Sequence, residues 1–136
     1  MLSDYAEKTG HVTFRYNTPM VKLVVEGDKV VGAIGKGVAK RAQGFGMKVL
    51  AYDVFQSDSG RAIGTYTDLD TLLSSSDVVS LHCNLTPENT GLINKERIAK
   101  MKDGALLINN ARGQLIVEQD VADALNSGKL GGAGLD

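Results

Sequence analysis

The chain has 136 residues, 43% of them hydrophobic and 23% charged, with a net charge of −1. That is one globular domain by size, with no basic field to draw nucleic acid or an anionic membrane surface. The lone Cys83 excludes an internal disulfide and argues against a Cys-rich zinc site, so a reducing compartment, the cytoplasm, is the expectation. No apolar run reaches the roughly 18 residues of a membrane span, and residues 1–10 lack the apolar stretch of a signal peptide.

Taken in chain order, Leu2–Lys8 reads as short helical turns closed by Gly10. Val12–Tyr16 and Met20–Glu26 are strand-like, with Asn17 and Pro19 marking a turn between them. Glu26–Lys29 is a second turn, so Met20–Val31 reads as an antiparallel hairpin, with Lys29–Val31 its returning strand. From Gly32 the texture becomes strand–helix alternation. Ile34, Val38, Ala42 and Phe45 fall at helical spacing on one apolar face, and Gly44 and Gly46 end that helix. Met47–Tyr52 is a near-continuous apolar strand, as expected of a parallel strand covered on both faces. Gln56–Thr65 is a polar loop. Leu69, Leu72 and Leu73 form a short helix capped by Thr67 or Asp68.

Three further strands follow, at Asp77–Cys83, Ala105–Asn110 and Gly131–Asp136. They are separated by helices over Asn94–Met101 and Val117–Leu125. This alternation predicts an α/β fold, a Rossmann-like, doubly wound and mostly parallel sheet with an N-terminal β-hairpin extension. The core strands are Met47–Tyr52, Val78–Cys83, Ala105–Asn109 and Ala133–Asp136, with Lys29–Val31 expected in the place of a first strand.

The chemistry-bearing stretch is Gly32–Asp53. Gly32 and Gly35 form Gly-x-x-Gly ahead of a helix, where a backbone turn and free N–H groups can meet a pyrophosphate. About 20 residues on, the following strand ends on Asp53, a carboxylate able to accept hydrogen bonds from ribose hydroxyls. Val30 stands where the fingerprint's first glycine belongs.

The stretch from Ser76 through His82-Cys83-Asn84-Leu85-Thr86 and Asn110-Ala111-Arg112-Gly113 to Gly134-Leu135-Asp136 resembles the NAD-binding domain of the D-isomer-specific 2-hydroxyacid dehydrogenases. The likeness runs from Gly32 to Asp136 and leans towards the hydroxypyruvate reductase, glycerate and phosphoglycerate branch. It implies that Gly32 and Gly35 are the second and third fingerprint glycines, with Ala33 and Ile34 beside the pyrophosphate. Asp53 would hold the adenosine ribose. Val54 and Phe55 supply no Arg for a 2′-phosphate, so NAD is expected over NADP. His82, Cys83 and Asn84 would line the adenine and ribose pocket, and Thr86 the loop past the phosphates. Asn110 and Ala111 would meet the nicotinamide ribose, Arg112 the substrate carboxylate, and Asp136 the carboxamide. A guanidinium matches a carboxylate bidentately and so fixes a 2-hydroxy acid against the ring.

Asn84 replaces the family's usual Pro, freeing a backbone N–H. Residues 6–32 instead resemble a hairpin segment of flavin-dependent fumarate-reductase-type proteins, which divides the chain into an N-terminal segment 1–31 of different origin and a dinucleotide-binding domain 32–136. The family's catalytic Glu and acid/base His follow the Gly-Leu-Asp strand and so would lie beyond Asp136. The resemblance implies a small 2-hydroxy or 2-keto acid as substrate of the complete enzyme and is compatible with a homodimer.

His82 is therefore read as cofactor-lining rather than as an acid/base group, and His11 as an exposed strand residue. Cys83 is read as a small pocket-lining thiol, and the Asn84-Leu85-Thr86 sequon as chance. Two functions stay open: an NAD-dependent oxidoreductase domain, inactive by itself, or a dinucleotide-binding scaffold without turnover.

Overall fold

The computed structural model describes residues 20–24 and 29–136. Its centre is a six-stranded sheet in the order β3-β2-β1-β4-β5-β6. The strands are β1 (Met20–Val24), β2 (Lys48–Tyr52), β3 (Thr65–Tyr66), β4 (Val78–Leu81), β5 (Ala105–Asn109) and β6 (Leu130–Leu135). Every pairing between them is parallel. The connecting helices are α1 (Lys29–Gly44), α2 (Asp58–Arg61), α3 (Leu69–Ser75), α4 (Lys95–Lys100) and α5 (Glu118–Asn126).

Strand alternation sorts the side chains into two layers. On β2, Val49 joins Ala39 and Ala42 of α1 and Ile63 in one cluster, while Tyr52, of opposite parity, packs against the other. On β4, Val78 meets the α1 cluster, and Val79 and Leu81 face the second. That second cluster is the larger, with Leu72 and Leu73 of α3, Ile98 of α4, Leu107 of β5 and Val121 of α5. Helix α1 thus covers one face of the sheet and α3, α4 and α5 the other, which is the doubly wound arrangement expected.

The helix starts are written in the sequence as caps. The Asp68 carboxylate accepts from the Thr71 N–H at 2.8 Å to start α3, and Asn94 Oδ1 accepts from the Arg97 N–H at 3.1 Å to start α4.

The N-terminal expectations are corrected. Met20–Val31 forms no hairpin: Met20–Val24 lies between β2 and β4, parallel to both, and Lys29–Val31 are the opening residues of α1. Two forces explain this. Without β1 in the middle, β2 and β4 would each present an open ladder edge. The β-branched pair Val30-Val31, which reads locally as strand, also leads into Ile34, Val38 and Ala42 at three- and four-residue spacing, a helical period that wins. Lys29–Val31 accordingly pair with no strand. Phe45, expected on the apolar face of that helix, is 84% exposed. It lies past the last helical residue, where the chain turns through Gly46 at φ 76°. The loop read over Gln56–Thr65 contains α2 and opens β3. The elements expected before Met20, and His11 with them, lie outside the described residues.

Candidate cofactor site

The strand registers build the site. Tyr52 pairs with Val24, Val24 with Leu81, Leu81 with Asn109, and Asn109 with Leu135. These residues close five adjacent strands and form one row across the sheet. Asp53, His82, Asn110 and Asp136 each follow a member of that row, so the registers set all four along the carboxyl edge. Chain order reverses direction between β1 and β4, and a doubly wound sheet binds ligands at that switch point.

On the β2 side, Asp53 is half-buried and its Oδ1 accepts from the Phe55 N–H at 2.9 Å, which curls the loop around the carboxylate. Val54 and Phe55 stand exposed beside it, with no cation at either position. At the end of β4, His82 is buried, and its Nε2 lies 2.9 Å from the hydroxyl of buried Ser80. Burial pushes its pKa below the ordinary 6.5, which favours a neutral ring. Cys83 is 1% exposed and belongs to the larger core cluster, so it is core at least as much as pocket wall. Asn84 and Thr86 are half-buried in the loop that follows.

At the end of β5, Asn110 and Arg112 are exposed, and Arg112 Nη1 donates to the Ala111 carbonyl at 2.8 Å. Asp136 N donates to the Asn109 carbonyl at 3.1 Å, which ties the end of β6 to the same edge.

Gly32, Ala33, Ile34 and Gly35 are placed differently from the expectation. Because α1 begins at Lys29, Gly32 closes the first turn and Gly35 lies almost two turns in. The free N–H groups of a helix are its first four, here those of residues 29–32. The N–H groups of Ala33 and Ile34 belong to the helical ladder rather than to its mouth.

Three polar residues that sequence reasoning passed over are buried at this edge: Asn89 and Asn109, 3% and 2% exposed, and Ser80. Their signal was a polar side chain inside or beside an apolar strand, and for Asn89 its place three residues after Thr86, a capping spacing. Among the described residues, no group of three or more His, Cys, Asp or Glu side chains is placed to hold a metal ion. Among the same residues no helix is long and apolar enough to cross a membrane.

A parallel sheet of this order, with a carboxylate at one side of its switch point and an arginine loop at the other, is the architecture of a dinucleotide-binding domain. The chain belongs to the D-isomer-specific 2-hydroxyacid dehydrogenases, a family of oxidoreductases: residues 22–136 match the model for the family's NAD binding domain. A hydroxypyruvate reductase of Blautia hydrogenotrophica is 51% identical over 124 residues, covering 89% of this chain and 38% of the relative. Among solved structures, the apo form of Escherichia coli D-lactate dehydrogenase superposes with a TM-score of 0.83 at 39% identity, over 91% of this chain and 39% of that one. The NAD-complexed D-isomer-specific 2-hydroxyacid dehydrogenase of Lactobacillus delbrueckii ssp. bulgaricus gives 0.80 at 37% identity, over 98% and 42%. The chain thus spans about two fifths of the length of these proteins.

The described residues fit NAD. Asp53 offers a loop-anchored carboxylate acceptor past the end of β2, of the kind a ribose diol would need, and the switch point lies between it and the Asn110–Arg112 loop.

Proposed function

We propose that this chain is the cofactor-holding part of an NAD-dependent dehydrogenase acting on D-2-hydroxy acids, and that it prefers NAD(H) to NADP(H). The observation that carries the reading is the row of paired strand ends, which sets Asp53, His82, Asn110 and Asp136 along one edge. Asp53 accepts from the adenosine ribose and repels a 2′-phosphate. His82, Cys83 and Asn84 wall the adenosine side, Thr86 follows the phosphates, and Gly32–Gly35 back the pyrophosphate from within α1. Asn110 and Ala111 meet the nicotinamide ribose, and Asp136 faces the carboxamide. When bound, the nicotinamide supplies hydride exchange with carbon 2 of the acid. Arg112 holds the acid's carboxylate so that this carbon faces the ring. A cytoplasmic setting suits the lone, buried cysteine of the chain, Cys83.

His82 is a poor proton source for that reaction, being buried, paired with Ser80 and lowered in pKa. These 136 residues therefore bind cofactor without turning over substrate. Loss of a general acid or base typically costs on the order of 10²–10⁴ in rate.

Calorimetric titration with NADH and NADPH tests the preference, and equal or tighter NADPH binding overturns it. NADH absorbance with saturating hydroxypyruvate, glyoxylate or pyruvate should show no oxidation above background. Turnover that Arg112→Ala abolishes would overturn the reading and require a residue of this chain, His82 first among the candidates, to supply the proton.

A further inference from the structure

We infer that Asn89 and Asn109 are positioning residues, each a buried amide that fixes one of the two loops flanking the cofactor crevice. The inference rests on the NAD-binding reading above and goes beyond it by naming what shapes the crevice. Asn89 Nδ2 donates to the Asn84 carbonyl at 2.7 Å, and its Oδ1 accepts from the Thr86 N–H at 2.7 Å. Asn109, the last residue of β5, does the same: Oδ1 accepts from the Ala111 N–H at 3.1 Å, and Nδ2 donates to the Arg112 carbonyl at 2.9 Å. Each side chain therefore closes one N–H and one C=O of a single loop.

The need for such a group follows from topology. Residues 84–86 and 110–112 lie past the paired ends of β4 and β5, where no ladder partner reaches their backbone groups. These loop bonds are part-buried, and a backbone group shielded from water needs a partner within the protein. A primary amide carries one strong acceptor and two donors on one short, rigid plane, so it can serve both groups at once.

Each clamp is itself held. The Leu92 N–H donates to the Asn89 carbonyl at 3.0 Å, and the Asp136 N–H to the Asn109 carbonyl at 3.1 Å. With its backbone groups turned inward on Asn109, the second loop presents Asn110 and Arg112 outward. The Arg112 guanidinium, bonded to the Ala111 carbonyl, takes its place from the clamped backbone. Glu88, on the first loop, and Arg112, on the second, are the charged groups nearest in sequence to the clamps.

The test uses the 136-residue chain with Asn89→Asp and Asn109→Asp. A carboxylate keeps the acceptor for the loop N–H but sets a second oxygen against the loop carbonyl. In variants still folded well below their melting temperature, NADH affinity should fall about tenfold at neutral pH for Asn89→Asp, which sets a carboxylate oxygen against the Asn84 carbonyl, and by less for Asn109→Asp, because the Arg112 carbonyl still accepts from the Leu115 N–H at 3.1 Å. As pH falls and the new carboxyl takes up a proton, it can donate again, and affinity should recover towards wild type. A merely structural contact would lower the melting temperature and leave the affinity of the folded protein unchanged, and that result overturns the inference.

Hydrogen exchange separates this from failure of the NAD reading. If wild type itself binds no NADH, the reading above fails. Protection of the Thr86 and Ala111 amides then decides alone: lost in the variants and regained on acidification, it supports the clamps, and unchanged it refutes them. Should a buried carboxylate prevent folding, Asn89→Ala and Asn109→Ala carry the same affinity and exchange comparison without the pH arm.

Discussion

Protonation of His82 should make this domain acid-sensitive in a defined window. The side chain is 7% exposed, bonded to Ser80 and held below its ordinary pKa of 6.5 by burial. In the unfolded chain the ring takes up a proton as pH drops through about 6.5, while in the folded chain it resists until the lower value. Between those two values the unfolded state binds more protons, so acidification removes stability. The contribution is complete above the unfolded pKa and falls by at most about 1.4 kcal/mol per pH unit below it, levelling once the folded ring also protonates. Asp68 and Asp103 are lowered too, from 3.8, and lose their contributions only at more acidic pH, outside the histidine window. The assay is urea unfolding of wild type and His82→Gln from pH 8 to pH 5. The stability difference between the two should be flat above pH 7 and shift against wild type as pH falls below about 6.5. A difference independent of pH would mean that the folded ring protonates as readily as the unfolded one, and the reasoning from burial would be wrong.

Three further outcomes follow from single contacts. Asp53→Ala removes a charged acceptor, worth roughly 1.5–3 kcal/mol per hydrogen bond, so NADH affinity measured by calorimetry should drop at least tenfold while NADPH loses little. Parallel losses for the two cofactors would refute a ribose role. Gly131→Ala should destabilise by about 1–3 kcal/mol or more in chemical denaturation, because a Cβ there would strike the Gly104 carbonyl oxygen and stand 3.1 Å from the Gly104 carbonyl carbon, backbone that cannot rotate away. Gly44→Ala, at a helix end where a Cβ meets nothing within 4 Å, should instead be neutral or stabilise by up to about 1 kcal/mol.

How much of this was legible in the sequence depends on the range of the interaction concerned. Met47–Tyr52, Val78–Cys83 and Ala105–Asn109 are apolar runs bounded by breakers that read as buried parallel strands, and each contains one, Lys48–Tyr52, Val78–Leu81 and Ala105–Asn109. Asp68 and Asn94 cap their helices through bonds to residues three positions on, so local sequence suffices. The failure at Met20–Val31 is of another kind. Met20-Val-Lys-Leu-Val is strand in either pairing, and nothing within it says whether its neighbour is a returning hairpin arm or two distant parallel strands. The answer lies in β2 and β4, which begin at Lys48 and Val78 and each keep one open ladder edge unless Met20–Val24 lies between them.

The site divides the same way. The placement of Asp53 and Arg112 past strand ends was legible, and a parallel sheet binds ligands along that edge, which is what made them candidates. Asn89 and Asn109 could not be ranked above any other loop asparagine, since their importance comes from burial that only the folded chain reveals. Once folded, the argument reverses. The backbone of the 84–86 and 110–112 loops is tied to the buried Asn89 and Asn109 amides beneath it. A substitution at Arg112 should therefore remove one contact, whereas a substitution at Asn109 should move every contact its loop supplies.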